Sequence, residues 1–363
     1  MKKILFVATV PEHFSSFHLP CFKMLKENGF EVHTVCSSDV KFPYTDKNFN
    51  VHIGRSPADP ENFKAISALR KIIEQENYDV VHCHTPMGGA VTRVASRKKR
   101  KKGMRVIYTA HGFHFYKGAP LVNWLVFFTL EYLMSFMTDD IITINSEDFE
   151  RAKRLLKAKR THHVHGVGCD ISRFSKETQR SEIRQELRLS DDEKLMVYVA
   201  EQNENKNQQL LIKAVSLLSK DIKNIRLLVV GADNIEGKYE ALAKELSAPV
   251  TFLGRREDVP KILSVCDIYT ASSLREGLPV NIMEAMASSL PVVAVDNRGH
   301  RVLVENGVTG FITGADENEI ADRVKQVLND EKLYEKLSSN AREKVSPYGL
   351  ETVLQELYKI YFN

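Results

Sequence analysis

Cysteine is scarce and unpaired in spacing: Cys21, Cys36, Cys83, Cys169 and Cys266 are five in 363 residues, odd in number and scattered. No two have the short separation of a zinc knuckle or a redox motif, a pattern that fits a reducing cytoplasm. Excess charge is also missing. The net charge of +4 excludes a chain that binds polyanions over its whole surface. Internal repeats and low-complexity tracts are absent. The first apolar run is too short for a signal peptide and is cut off by Pro11, Glu12 and His13. Leu121 to Met137 is the one stretch approaching membrane length, but Asn123 and Glu131 interrupt it and it falls short of a spanning helix. No Gly-x-Gly-x-x-Gly turn follows the first strand, which argues against a dinucleotide enzyme.

What is present is a soluble composition, 43% hydrophobic and 27% charged, in a chain long enough for two cores. Short apolar runs alternate with longer amphipathic ones. Lys3–Thr9, Glu31–Cys36, Asp79–His84, Arg105–Ala110 and Asp140–Ile144 read as strands. Phe14–Asn28, Phe63–Glu76 and Ser146–Lys157 read as helices, the first closed by Asn28-Gly29 as a left-handed cap. A second series follows, with strands at Lys194–Ala200, Arg226–Val230, Val250–Leu253, Asp267–Ala271 and Pro291–Val295. Continuous apolar strands suit parallel sheets covered on both faces. Two such series predict an α/β protein of two doubly wound Rossmann-like domains facing a central cleft. The expected division is 1–172, 173–345 and a C-terminal crossover helix, 346–363, packing back on the first domain. The polar stretch Ser172–Arg180 is the expected linker.

Ligands of such sheets sit beyond the carboxyl ends of strands, and the informative residues lie there. Ser272 to Ala287 follows a strand and leads into a helix, with Glu276 in the loop and Glu284 about a turn into the helix. Gly277 and Pro279 shape a turn that leaves the first backbone N–H groups of the helix free for an anion such as a diphosphate. Each carboxylate can accept two hydrogen bonds from vicinal hydroxyls, as on a sugar or ribose. A second loop, Ala200 to Asn207, carries Lys206; a third, Tyr108 to Phe115, carries His111 and His114.

The Glu276–Glu284 segment resembles the Glu-x7-Glu signature of glycosyltransferase family four, which has the GT-B fold, and the resemblance runs through most of the chain. It implies that Glu276 contacts the donor sugar and Glu284 the ribose, with Gly277, Leu278 and Pro279 approaching sugar and phosphates. Lys206 matches the diphosphate-binding lysine. Glu201 stands where the family has Arg, so the second cation must come from elsewhere, and Arg255 or Arg256 is the candidate. His111 matches the histidine near the reacting carbon. The longer run from His111 to Gly118 resembles bacterial capsule and exopolysaccharide transferases. These likenesses imply a retaining hexosyltransferase that moves a sugar from a UDP-sugar to a hydroxyl, with a polyprenyl-diphosphate-linked saccharide as the favoured acceptor. The expected setting is the cytoplasm, peripheral at the inner face of the membrane. Glu201 leaves one rival open, a non-catalytic partner subunit; a nucleotide-sugar epimerase, which shares the fold, is another.

Three features stay open on sequence. His82 and His84 alternate on a strand and share a face. A zinc site there needs two more ligands, with His111 the obvious one; a hydrogen-bonded pair is favoured, and no cofactor or metal is expected. His13, His84 and His114 are candidate acceptor-side groups. The basic run Arg97–Lys102 is either a solvated helix end or a contact for anionic lipid beside Leu121–Met137; nucleic acid is not expected.

Overall fold

A computed structural model describes residues 1–116, 118–174 and 180–362. The chain divides into two compact units, Met1–Gly168 with Glu351–Asn363, and Cys169–Leu350. Most of the predicted linker, residues 175–179, lies outside the described residues.

The first unit is built on seven parallel strands: β1 (Lys2–Val7), β2 (Phe30–Cys36), β3 (Lys47–Asn50), β4 (Val80–His84), β5 (Arg105–Ala110), β6 (Asp140–Thr143) and β7 (Arg160–His163). Their order is β3-β2-β1-β4-β5-β6-β7. Strand alternation separates two cores. Leu5, Val7, Val81 and Cys83 point to one side; Ile4, Phe6, Val80 and Ile107 point to the other. His82 and His84 share the parity of Val80, so their rings enter the second core beside Phe6. The helix Leu350–Phe362 covers that same face. Its Tyr361 is buried and meets His82 Nδ1 at 2.6 Å, and Glu356 holds the His165 ring at 2.7 Å. Burying Val353, Ile360 and Tyr361 contributes roughly 1.5–3 kcal/mol each. The crossover helix is thus part of the first unit.

The second unit carries six parallel strands: β8 (Lys194–Val199), β9 (Ile225–Val230), β10 (Val250–Gly254), β11 (Ile268–Ala271), β12 (Val292–Val295) and β13 (Gly310–Thr313), in the order β10-β9-β8-β11-β12-β13. The order reverses between β8 and β11, which makes that gap the topological switch point.

Differences from the sequence reading have local causes. The helix expected over Phe14–Asn28 is two, Glu12–Phe17 and Leu19–Glu27, with His18 at the joint. Pro20 stands in the first turn of the second helix, and its missing N–H could not bond the Ser16 carbonyl, so the first helix does not run through. The Asn28-Gly29 cap is as expected, with Gly29 at φ +80°. Strands β3, β7 and β13 were not anticipated. All three are sheet edges; β3 and β7 are also half-exposed and polar, so no continuous apolar run marks them. Leu121–Met137 is helical through Ser135 with a π-helical segment at Trp124–Phe128. Among the described residues no helix is long and apolar enough to cross a membrane.

Candidate active site

Three loops of the second unit meet beyond β8, β11 and β12, which are neighbours in the sheet. The loop after β8 ends at Asn207, in the left-handed conformation (φ +55°), just before the helix Gln208–Leu218. The loop after β11 leads into the helix Val280–Ala287, whose start has Pro279 and no side-chain cap. Asn281 Oδ1 accepts from the Ile282 N–H at 2.9 Å, so the backbone N–H groups before it are the ones left for an anion.

The first two loops are laced together across the switch point. The Leu274 N–H donates to the Asn205 carbonyl at 2.8 Å, and Asn205 Nδ2 to the Arg275 carbonyl at 3.1 Å. Ser272 Oγ donates to the Lys206 carbonyl at 2.8 Å, and Asn281 Nδ2 to the Val199 carbonyl at 2.8 Å. This lacing sets the two charged side chains against each other: Lys206 Nζ lies 2.6 Å from Glu276 Oε1. Both are half-buried, so the pair is only partly screened by water.

The third loop supports Glu276 from behind. Asn297 Nδ2 donates to the Ser273 carbonyl at 2.8 Å, while Asn297 Oδ1 caps the helix Arg298–Leu303. Gly299 lies so near that a Cβ there would meet the Glu276 Cβ at 2.6 Å and its carbonyl oxygen at 2.8 Å. Any side chain at 299 therefore pushes Glu276 out of place. Gly231, after β9, is similarly pressed against the Ala200 carbonyl at the base of the Lys206 loop. Sequence reading named neither glycine nor Asn297. The available signal was a glycine shortly after an apolar strand, repeated at Gly231, Gly277 and Gly299.

Glu284 is half-buried one turn into its helix. Burial pushes its carboxyl up from 4.5 to about 7, and the Arg173 guanidinium acts in the opposite direction. Arg173, in the short helix Ile171–Arg173, is a neighbour that the sequence did not reveal. The folded state thus holds the Glu284 proton more tightly than the unfolded chain does. Its contribution to stability is fully present below about pH 4.5 and is lost as pH rises through 7. Ligand-free protein is expected to lose up to about 3 kcal/mol of stability from this group between roughly pH 5 and pH 8. Glu284→Gln should flatten that part of the profile in urea unfolding, and an unchanged slope in the variant would remove Glu284 as its source.

Of the remaining predicted donor residues, Gly277 and Leu278 are half-buried in the turn between Glu276 and the helix. Glu201 is exposed; its Oε2 accepts from Asn234 Nδ2 at 2.9 Å, so it neither opposes nor joins Lys206. Arg255 is exposed after β10, the edge strand, which β9 separates from β8. Arg256 pairs with Asp258 at 2.7 Å. No described contact draws either arginine to Lys206.

In the first unit, the loops after β1 and β5 and the end of β4 bring four histidines together. One ring nitrogen from each of His13, His18, His84 and His111 lies within 4.8 Å of the others. His84 Nδ1 is 3.3 Å from His18 Nε2 and 3.2 Å from His111 Nε2. His84 is buried, so it presents no exposed face. His82 is not in this group: its ring joins the Tyr361 hydroxyl and Thr109 Oγ1. The sequence foresaw His84 with His111 but not His18, which looked like one more helical residue. His114 is packed, its ring stacked on Phe127 at 4.5 Å. In the basic run, Arg100 is structural, bonding Asp139 Oδ2 at 3.0 Å and the Phe136 carbonyl at 3.0 Å.

Comparison with known proteins gives the same account from another direction. The family description "Glycosyl transferases group 1" matches residues 179–344, and "Glycosyl transferase 4-like" matches residues 3–145. EpsD of Bacillus subtilis (strain 168), which carries a provisional glycosyltransferase name, is 42% identical over 99% of this chain and 96% of its own. An Escherichia coli UDP-Gal:alpha-D-GlcNAc-diphosphoundecaprenol alpha-1,3-galactosyltransferase is 25% identical over 89% of this chain and 86% of its own. Among solved structures, Anabaena HepE in complex with UDP and glucose superposes with a TM-score of 0.77 at 20% identity, over 99% of both chains. The last likeness speaks for the fold, which is GT-B. Taken with the paired carboxylates and lysine at the switch point, these matches establish that the chain belongs to the group 1 glycosyltransferases and is a glycosyltransferase with two parallel-sheet α/β domains.

Proposed function

We propose that this enzyme transfers a hexosyl group, with retention of configuration, from a UDP-sugar to a hydroxyl of a polyprenyl-diphosphate-linked saccharide during surface-polysaccharide assembly. The Lys206–Glu276 contact across the switch point carries the reading. A diphosphate is the ligand that competes for Lys206, and a sugar hydroxyl is the ligand that competes for Glu276. Lys206 and the N-terminus of Val280–Ala287 would take the diphosphate, with Gly277, Leu278 and Pro279 lining the approach. Glu284 would accept the ribose hydroxyls. The bond from the anomeric carbon to the diphosphate breaks as the bond to the acceptor oxygen forms on the same face, and the acceptor proton passes to the leaving phosphate. No second carboxylate base and no metal at the diphosphate are required. His111 would orient the donor sugar by its ring or its backbone carbonyl.

The lipid-linked acceptor is supported by the name of the Escherichia coli relative. It is also supported by the surface of the first unit. Leu121, Val122, Leu125, Val126, Leu133 and Phe136 are exposed on one helical segment. Arg100 anchors the end of the basic run at Phe136, where Lys98, Lys101 and Lys102 are exposed. An apolar row beside cations suits an anionic membrane surface, to which each cation adds on the order of 1 kcal/mol. The protein would then act peripherally at the inner face of the membrane.

The test is a panel of UDP-sugars incubated with and without an undecaprenyl-diphosphate-linked saccharide in anionic vesicles. Transfer from one donor, dependent on the acceptor, is expected. A sugar changed in the absence of acceptor would mean an epimerase. UDP binding with no turnover of any donor would mean a non-catalytic partner.

A further inference from the structure

The four-histidine cluster of the first unit is not used by the chemistry proposed above, apart from His111. Hydrogen bonding alone does not satisfy the group. His84 Nδ1 faces both His18 Nε2 and His111 Nε2. It has either one proton or one lone pair, so it can serve only one of the two contacts well. His13 Nε2 is buried and has no hydrogen-bond partner. Such an orphan is rare in folded proteins and asks for a cause.

We propose that His13, His18, His84 and His111 form a binding site for one divalent transition-metal ion of the zinc class, at the carboxyl end of the first unit's sheet. A tetrahedral ion with metal–nitrogen bonds of about 2.0–2.1 Å sets its ligand nitrogens about 3.3–3.4 Å apart. The two short contacts, 3.3 and 3.2 Å, have that spacing already. His13, on the short helix Glu12–Phe17, closes the set from within 4.8 Å. Four neutral imidazoles are a donor set for zinc, copper or nickel rather than magnesium or calcium, which prefer oxygen. The ion would tie the loops after β1 and β5 to the end of β4. It departs from the metal-free expectation for the chain while leaving the diphosphate chemistry of the second unit untouched. With the His111 ring engaged, any part His111 plays in transfer falls to its backbone carbonyl.

The experiment uses the full chain, stripped with a chelator and titrated with Co2+. Visible d–d bands of tetrahedral cobalt are expected, saturating at about one equivalent and abolished by Zn2+. His13→Gln and His84→Gln should weaken binding on the order of 100-fold. His33→Gln should leave it unchanged, because His33 belongs to the separate group with Glu31 and Glu76. If His84→Gln does not fold, the less buried His13→Gln decides the matter alone. Absence of tetrahedral bands in the wild-type chain would overturn the proposal. So would bands that persist in folded His13→Gln protein or vanish in His33→Gln. The readout is a spectrum, so it stands or falls independently of any transfer activity.

Discussion

Replacing Glu276 with Gln is expected to lower transfer roughly 10- to 100-fold while leaving UDP affinity intact or slightly improved. The two halves of this expectation come from the same contact. In the ligand-free protein Glu276 Oε1 sits 2.6 Å from Lys206 Nζ, so carboxylate and diphosphate compete for one ammonium. Neutralising the carboxylate removes the competitor, and UDP, which has no sugar for Glu276 to hold, loses nothing. The transfer step does lose. A hydrogen bond involving a charged group is worth about 1.5–3 kcal/mol, and each 1.4 kcal/mol is about tenfold in rate. Glutamine keeps the shape of the side chain, so the loop hydrogen bonds through Asn205 and Asn297 should survive. The measurement is kcat/KM for transfer alongside the Kd for UDP by calorimetry. Full activity in the variant would take Glu276 out of the site, and a parallel collapse of UDP binding would make it a structural residue.

Lys206→Ala is expected to weaken UDP-sugar binding roughly 10- to 100-fold, with uridine binding changed far less. Lys206 carries the cationic side chain that the described contacts bring to the switch point, since Glu201 turns to Asn234 and Arg256 to Asp258. Under the proposed function, the diphosphate would have no second side-chain cation among those contacts and would lean on this one plus the helix start at Val280. Loss of a charge-assisted contact of about 1.5–3 kcal/mol gives the stated range. Removal of Lys206 also leaves Glu276 half-buried without its partner, which adds repulsion toward phosphate. Comparing Kd for UDP-sugar, UDP and uridine separates these causes. Equal losses for all three ligands would deny Lys206 a phosphate role.

Much of this was legible before any coordinates. The central strands announce themselves because both faces of a parallel sheet are covered, so Ile4 to Val7 or Leu227 to Val230 must be apolar throughout. The loops of Glu276, Glu284 and Lys206 could be placed because they follow strands and lead into helices, a position that is readable from the change in hydrophobic period. The edge strands β3 and β7 escaped because one side of each lacks a neighbour and both are polar and half-exposed, so neither needs an apolar run. His18 escaped for a different reason: it stands at the joint between two helices where the sequence pattern suggested one, and its ring is buried there.

The Glu276–Glu284 spacing, the Lys206 loop and the two βα series are properties of the sequence itself, because each rests on residues close together in the chain. Pairings between distant residues were decided only by tertiary structure. Lys206 meets Glu276 because β8 and β11 are neighbours in the sheet though 70 residues separate the two side chains. Gly299 matters because β12 lies next to β11 and brings its loop against Glu276. The four histidines converge because β1, β4 and β5 are adjacent, and no spacing between positions 13, 18, 84 and 111 records that adjacency. Local chemistry is written along the chain, whereas strand order emerges only when the sheet closes over its cores.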